Sequence, residues 1–97
     1  MTYRVRQTEA FARWHAGLRD LRARVAIARR IERITAGTLG DIRSVGAGVS
    51  EPRVDIGPGY RVYFVVRRSA EIVLLAGGDK RTQQADIRRA RRLAKEV

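Results

Sequence analysis

Asp55-Ile56-Gly57-Pro58-Gly59-Tyr60-Arg61-Val62-Tyr63-Phe64 reads as a strand end, a tight Gly-Pro-Gly turn and a second strand with an arginine near its start. Downstream, Glu71 to Ala76 is a nearly continuous apolar run, the mark of a central buried strand. It leads into Gly77-Gly78-Asp79-Lys80. Together the two stretches set cationic side chains at neighbouring strand ends of one sheet. Upstream the pattern also has period two. Asp41 to Val45 is a short strand, Gly46-Ala47-Gly48 a hairpin turn, and Val49 to Ile56 the next strand, in which Pro52 suggests an edge or a bulge. Tyr60 to Arg67 is a strand and Arg68-Ser69-Ala70 a turn.

The flanks are helical apart from a short alternating strand at Tyr3 to Arg6. Over Glu9 to Asp20, Phe11, Trp14, Leu18 and the following Leu21 form one apolar stripe, with Thr8 as N-cap and Glu9 favourable in the first turn. Arg22 to Ala36 is a second helix, apolar at Ile27, Ile31 and Ile34 and stopped by Gly37. A last helix runs from Thr82, its cap, to Lys95. The predicted fold is a single α+β domain over residues 1–97 in the order βααββββα. It has an antiparallel sheet, an N-terminal helical hairpin and a C-terminal helix, with the helices on one face of the sheet.

The formal net charge is +11 and the sequence pI about 11.6. Such an excess attracts polyanions, which makes nucleic acid the leading partner class and an acidic protein the next. A membrane surface ranks third, because no strongly amphipathic basic helix with bulky aromatics stands out. Of the cations, 19 are Arg and 2 are Lys, so a lysine at position 80 suggests a place for a compact ammonium. There is no cysteine, which excludes disulfides, thiolate metal sites and cysteine nucleophiles. A single histidine and scattered carboxylates give no metal-ligand spacing, and no GxxxxGK[ST] loop or serine–histidine triad is present. No metal or cofactor is therefore expected. Without a long apolar run or a signal-peptide core at Met1 to Arg6, a cytoplasmic protein is expected.

Strand alternation assigns the faces. Val54, Ile56, Tyr60, Val62, Phe64 and Val66 are expected to meet the helices. The other face, read as open, carries Glu51, Arg53, Asp55, Arg61 and Tyr63, a poor core and a good ligand surface. Arg61 suits a forked grip on a phosphate, and Lys80 a point charge or proton donor. Equally, Arg61 suits a cross-strand ion pair with Glu51 or Asp55, and the two roles coexist if the pair opens when RNA arrives. Arg53 is a third candidate cation. Tyr63 suits stacking on a base or packing on a neighbour; Arg67 and Arg81 extend the line of RNA contacts. Asp79 is placed to orient Lys80 or to make the turn beside the glycines. His15, on a helix away from the strand ends, is expected to face solvent.

Phe11-x-x-Trp14-x-x-x-Leu18, Gly37-x-x-Gly40-Asp41, Glu51-x-Arg53, Gly57-Pro58-Gly59-Tyr60-Arg61-Val62-Tyr63-Phe64 and Gly77-Gly78-Asp79-Lys80-x-x-Gln83-x-x-Asp86-Ile87 together resemble the RelE/ParE superfamily of toxins from type II toxin–antitoxin systems. The subgroup they most resemble is the HigB-like addiction module killer proteins, and the likeness covers nearly the whole chain. It implies the βααββββα fold, a cognate antitoxin of helix-turn-helix type, and for many relatives a metal-independent endoribonuclease that cuts mRNA on the ribosome. On that resemblance Arg61, Lys80 and Arg53 fall at the family's catalytic basic positions, Glu51 and Asp79 support them, and Asp86 falls near a C-terminal tyrosine or histidine of some relatives. Pro52 departs from the usual leucine. The alternatives are a ParE-like protein inhibitor of DNA gyrase and a non-catalytic basic RNA-binding relative.

Overall fold

The computed structural model describes residues 2–97. In chain order they form β1 (Arg4–Gln7), α1 (Glu9–Ala16), α2 (Leu21–Thr35), β2 (Ile42–Ser44), β3 (Ser50–Val54), β4 (Tyr60–Arg67), β5 (Glu71–Asp79) and α3 (Gln83–Ala94), with single 3-10 turns before and after β5. The protein is an α+β domain of one five-stranded sheet and three helices. The sheet order is β1-β5-β4-β3-β2.

The sheet is mixed, not antiparallel as the alternation predicted. β2 through β5 form an antiparallel run, but β1 lies parallel to β5, with Val5 opposite Ile72 and Gln7 opposite Leu74. The two helices after β1 carry the chain across the sheet, so β1 reaches the far edge in the same direction as β5. Pro52 also sits differently from the expectation. It is buried in β3, the second strand from the edge, opposite Ile42 of β2. β3 pairs with β4 at Ser50, Arg53 and Val54 and not at the two residues between, where proline has no N–H to donate.

The helices cover both faces, a second correction. Phe11 of α1 and Ile27 and Ile34 of α2 pack with Val54, Val62, Phe64, Ile72 and Leu74. On the reverse, Ile87, Ala90 and Ala94 of α3 pack with Tyr63, Val65, Val73, Leu75 and Ala76. The face read as open is thus roofed by α3. Period two survives on β4, while on β5 the register shifts between Tyr63 and Phe64, so that Leu75 and Ala76 both belong to the α3 side.

Local chemistry sets the helix ends. The Thr8 hydroxyl accepts the Phe11 N–H at 3.1 Å, as its N-cap position requires. α1 ends at Ala16, four residues short of the expected end, because Asp20 caps α2 through the N–H groups of Arg22 and Ala23. Gly37, at φ 98°, closes α2: its N–H meets Ile34 O and that of Thr38 meets Arg33 O, a Schellman pair. The expected cap of α3 is not formed. The Thr82 side chain makes no cap bond; instead Asp79 caps the preceding 3-10 turn, and the Thr82 hydroxyl donates to Asp86. His15 is half-buried against Phe11, with Nε2 3.1 Å from Arg24 O, so it ties α1 to α2 while staying partly open to solvent.

β5 runs three residues further than its apolar stretch, to Asp79. Its two glycines are contact points on opposite faces. A Cβ on Gly77 would lie 2.2 Å from the Trp14 ring, and one on Gly78 would lie 1.8 Å from Asp86 Oδ2. Trp14 rests on bare backbone, with Tyr60 edge-on to it at 6.3 Å. Gly77→Ala is expected to lower stability by about 1–3 kcal/mol, the cost of overpacking against a rigid ring, read as a lower urea midpoint.

Candidate functional site: a cationic cleft at the start of β4

Arg43, Glu51, Arg53, Arg61 and Gln83, together with Asp41 and Ile42, line a cleft of 320 Å³ between the sheet and the start of α3. Register explains the gathering. Arg43 lies opposite Glu51, and Arg53 opposite Arg61, so strand alternation turns all four to the α3 side. Arg61 in turn lies opposite Gly78, whose missing Cβ makes room for Asp86 and Thr82. The lining holds three guanidinium groups against the two carboxylates Glu51 and Asp41, a local excess of one positive charge.

Glu51 is the hub, with its side chain 1% exposed. Its Oε2 accepts the Tyr63 hydroxyl at 2.8 Å and the Gln83 amide at 2.9 Å. Arg61 Nε stands 3.8 Å from the same oxygen, and Arg43 Nε stands 3.8 Å from Oε1. Arg61 is 7% exposed; its Nη1 donates to Gly59 O at 3.3 Å, and its buried Nε has no hydrogen-bond partner. A buried carboxylate facing two guanidinium groups fixes the sheet's cationic end without neutralising it.

The residues singled out in the sequence divide. Arg53, Arg61, Glu51 and Tyr63 come together on one face. Tyr63 is fully buried, however, so base stacking is closed to it. Burial first, and then its bond to Glu51, raise the phenol well above its ordinary pKa, so it stays a donor. Lys80 is exposed one residue past Asp79, the partner of Tyr60, and so flanks the same end of β4 without lining the cleft. The Asp79 carboxylate accepts the backbone N–H of Arg81 at 2.8 Å and its guanidinium at 3.3 Å, and so orients Arg81 and not Lys80. Burial raises its carboxyl, but those bonds outweigh it and leave the pKa low. Arg67 is not part of the cleft. It lies six residues along β4, about 20 Å away, and its Nη2 donates to Ala94 O at the end of α3.

Four lining residues, Asp41, Ile42, Arg43 and Gln83, were not assigned a role in the sequence. Arg43 sits on a three-residue strand whose register the alternation did not supply. Gln83 is the first residue of α3; the sequence marked it as a member of the Gly77 to Ile87 motif, with no role attached.

No protein-family model matches the chain. It is 44% identical over 97 residues to an uncharacterized protein of Haemophilus influenzae, across 100% of this chain and 98% of the relative. The chain belongs to that protein's family. The likeness runs the full length of both proteins, so the strands and helix that build the cleft all fall within the shared region.

Two predictions concern stability. Glu51→Ala leaves Arg61 buried without its counter-charge and is expected to cost about 3–5 kcal/mol, measured by urea unfolding. Burial raises the Asp86 carboxyl, against opposing effects of the Thr82 hydrogen bond and Arg89. A carboxyl with a raised folded pKa stabilises most below its ordinary value of 3.8 and loses that contribution as pH rises through the folded pKa. Asp86→Asn is therefore expected to gain stability relative to the parent protein between pH 3 and pH 7. A pH-independent difference would contradict this.

Proposed function

We propose that this protein is the toxin of a type II toxin–antitoxin module, a RelE/ParE-superfamily member of the HigB-like subgroup, and that it cleaves mRNA on the ribosome. The observation that carries the reading is Arg61: a buried guanidinium with an unpartnered Nε, flanked by Arg43 and Arg53 in a cleft at one end of the sheet. The helix pair after β1, the antiparallel run β2 to β5 and the closing helix support the RelE-like topology.

In this reading RNA enters with one phosphate at Arg61. The 2′-hydroxyl attacks that phosphorus, forming a cyclic phosphate as the bond to the 5′ oxygen breaks. Arg61 and Arg53 stabilise the added negative charge. Lys80, exposed just past the end of β5, gives a proton to the departing 5′ oxygen, and the 2′-hydroxyl proton passes to water. Tyr63 is no base, since its phenol is held protonated, and Glu51 is committed to its four neighbours. The chemistry rests on charge stabilisation, with no metal or cofactor in the scheme. The setting is the cytoplasm; no helix of the described residues is long and apolar enough to cross a membrane.

The antitoxin has a surface that fits it. A 570 Å³ groove between α2 and β3 is lined by the apolar Leu21, Val25, Val54 and Ile56 and by arginines, among them Arg22, Arg29, Arg33 and the Arg53 that also lines the cleft. Leu21 is 64% and Val25 42% exposed. An acidic amphipathic segment matches both the apolar and the basic lining.

One observation favours the gyrase-inhibitor alternative: Arg61 already has an ion-pair partner, as a purely structural arginine would. Induction of this chain alone, with translation and DNA synthesis pulse-labelled and mRNA ends mapped, separates the two. A rapid translation block with new cuts within codons is expected. Arg61→Ala with Lys80→Ala is expected to lower cleavage by about 100-fold or more while the protein stays folded by circular dichroism. A DNA-synthesis block with intact mRNA would move the protein to the gyrase class.

A further inference from the structure

The Glu51 cluster contains a geometric oddity. Arg61 Nε lies beside a buried carboxylate oxygen yet stays at 3.8 Å, too far for a hydrogen bond, while remaining buried and unpartnered. The reason is occupancy. A carboxylate oxygen offers two in-plane lone pairs. On Glu51 Oε2 the Tyr63 hydroxyl, at 2.8 Å, and the Gln83 amide, at 2.9 Å, take both. Arg61 is held by charge alone, and its weak bond to Gly59 O uses Nη1.

We propose that Gln83 is a positioning residue for Arg61. By filling the second lone pair of Glu51 Oε2, it keeps the buried Arg61 Nε–H from closing onto the carboxylate, and so keeps the guanidinium among the groups that line the cleft and meet a phosphate there. The proposal rests on the reading of the cleft as an RNA phosphate site and adds what holds that site ready. The amide suits this role. It is a donor with no charge of its own to compete for the phosphate or to pair with Arg61. Its place at the first residue of α3 makes the docking of the roofing helix the event that sets the arginine. An apolar residue there would free a lone pair on a buried anion next to an unpartnered guanidinium, and the two would close.

Salt dependence separates positioning from a direct contact, because Gln83 also lines the cleft. A neutral amide touching RNA releases no counterion when lost. An arginine withdrawn from a phosphate lowers the slope of log K against log salt by about 0.7 for single strands. The measurement is binding of a short, non-cleavable 2′-deoxy-substituted oligonucleotide across a salt series for the parent protein, Arg61→Ala, Gln83→Met and the double variant. Expected are equal losses of slope in the two single variants, no further loss in the double variant, and affinity lower by about tenfold or more. In ligand-free Gln83→Met, the Arg61 Nε–H resonance is expected to show slowed exchange as it bonds to Glu51. If Gln83→Met does not fold, Tyr63→Phe removes the other donor from the same oxygen and must produce the same loss. An unchanged slope in Arg61→Ala overturns the phosphate reading and this proposal with it. A slope that falls in Arg61→Ala but holds in folded Gln83→Met, or in folded Tyr63→Phe used in its place, overturns the positioning role alone.

Discussion

One buried carboxylate constrains the cleft. Glu51 lies on β3 under the roof of α3, and an ion taken out of water costs several kcal/mol unless its lone pairs are met. Its neighbours come from three other elements: Arg43 from β2, Arg61 and Tyr63 from β4, and Gln83 from α3. β4 and α3 cannot slide over β3 without breaking a bond from Tyr63 or Gln83 to the desolvated charge, and Arg43 holds β2 to it by charge at 3.8 Å. The apolar contacts of Ile87, Ala90 and Ala94 would tolerate small shifts of α3; the amide at its start would not. The cluster thus converts a non-directional hydrophobic roof into a fixed one.

The two glycines of β5 are the apolar counterpart of that constraint. A sheet covered on both faces needs places where a bulky or polar group can reach backbone. Gly77 gives Trp14 that place on the α1 side, and Gly78 gives it to Asp86 on the α3 side. Since Gly78 is the cross-strand partner of Arg61, the same missing side chain that admits Asp86 leaves space beside the cleft. The doublet is therefore packing chemistry in mid-strand and not the phosphate loop that its composition superficially resembles.

Much of this was legible in the sequence. Period two at Tyr60 to Arg67 and the stripe at Phe11, Trp14 and Leu18 give the strands and helices, and alternation correctly set Glu51, Arg53, Arg61 and Tyr63 on one face. What alternation does not carry is what covers a face. α3 has few bulky apolar residues, Ile87 and Leu93 among alanines and arginines, so nothing marked it as the cover of the second face, which was read as open with Tyr63 on it. Small alanines are what let it approach closely enough to bury Tyr63. The parallel partner of β1 was equally out of reach, because pairing between chain ends depends on where the helices leave the strand and not on its four residues. Arg67 was misplaced for a related reason: it shares Arg61's face but not its end of the strand.

The distribution of charge separates two tasks. The cleft itself nets only one positive charge, so the +11 of the chain must lie elsewhere. Much of it sits on the outer sides of α2 and α3, where Arg22, Arg24, Arg29, Arg33, Arg88, Arg89, Arg91 and Arg92 are exposed. Such a field acts over about a Debye length and draws in any polyanion, without preference for sequence or register. The cleft acts over hydrogen-bond distances, with an arginine whose pose is already set by buried neighbours. A diffuse field cannot align one phosphate, and a single guanidinium cannot capture a polymer from dilute solution. Placing the first on helix exteriors and the second on strands locked by Glu51 lets each be strong without disturbing the other. The carboxylate also holds the arginines in place: without it, Arg43 and Arg61 would face each other with no counter-charge between them.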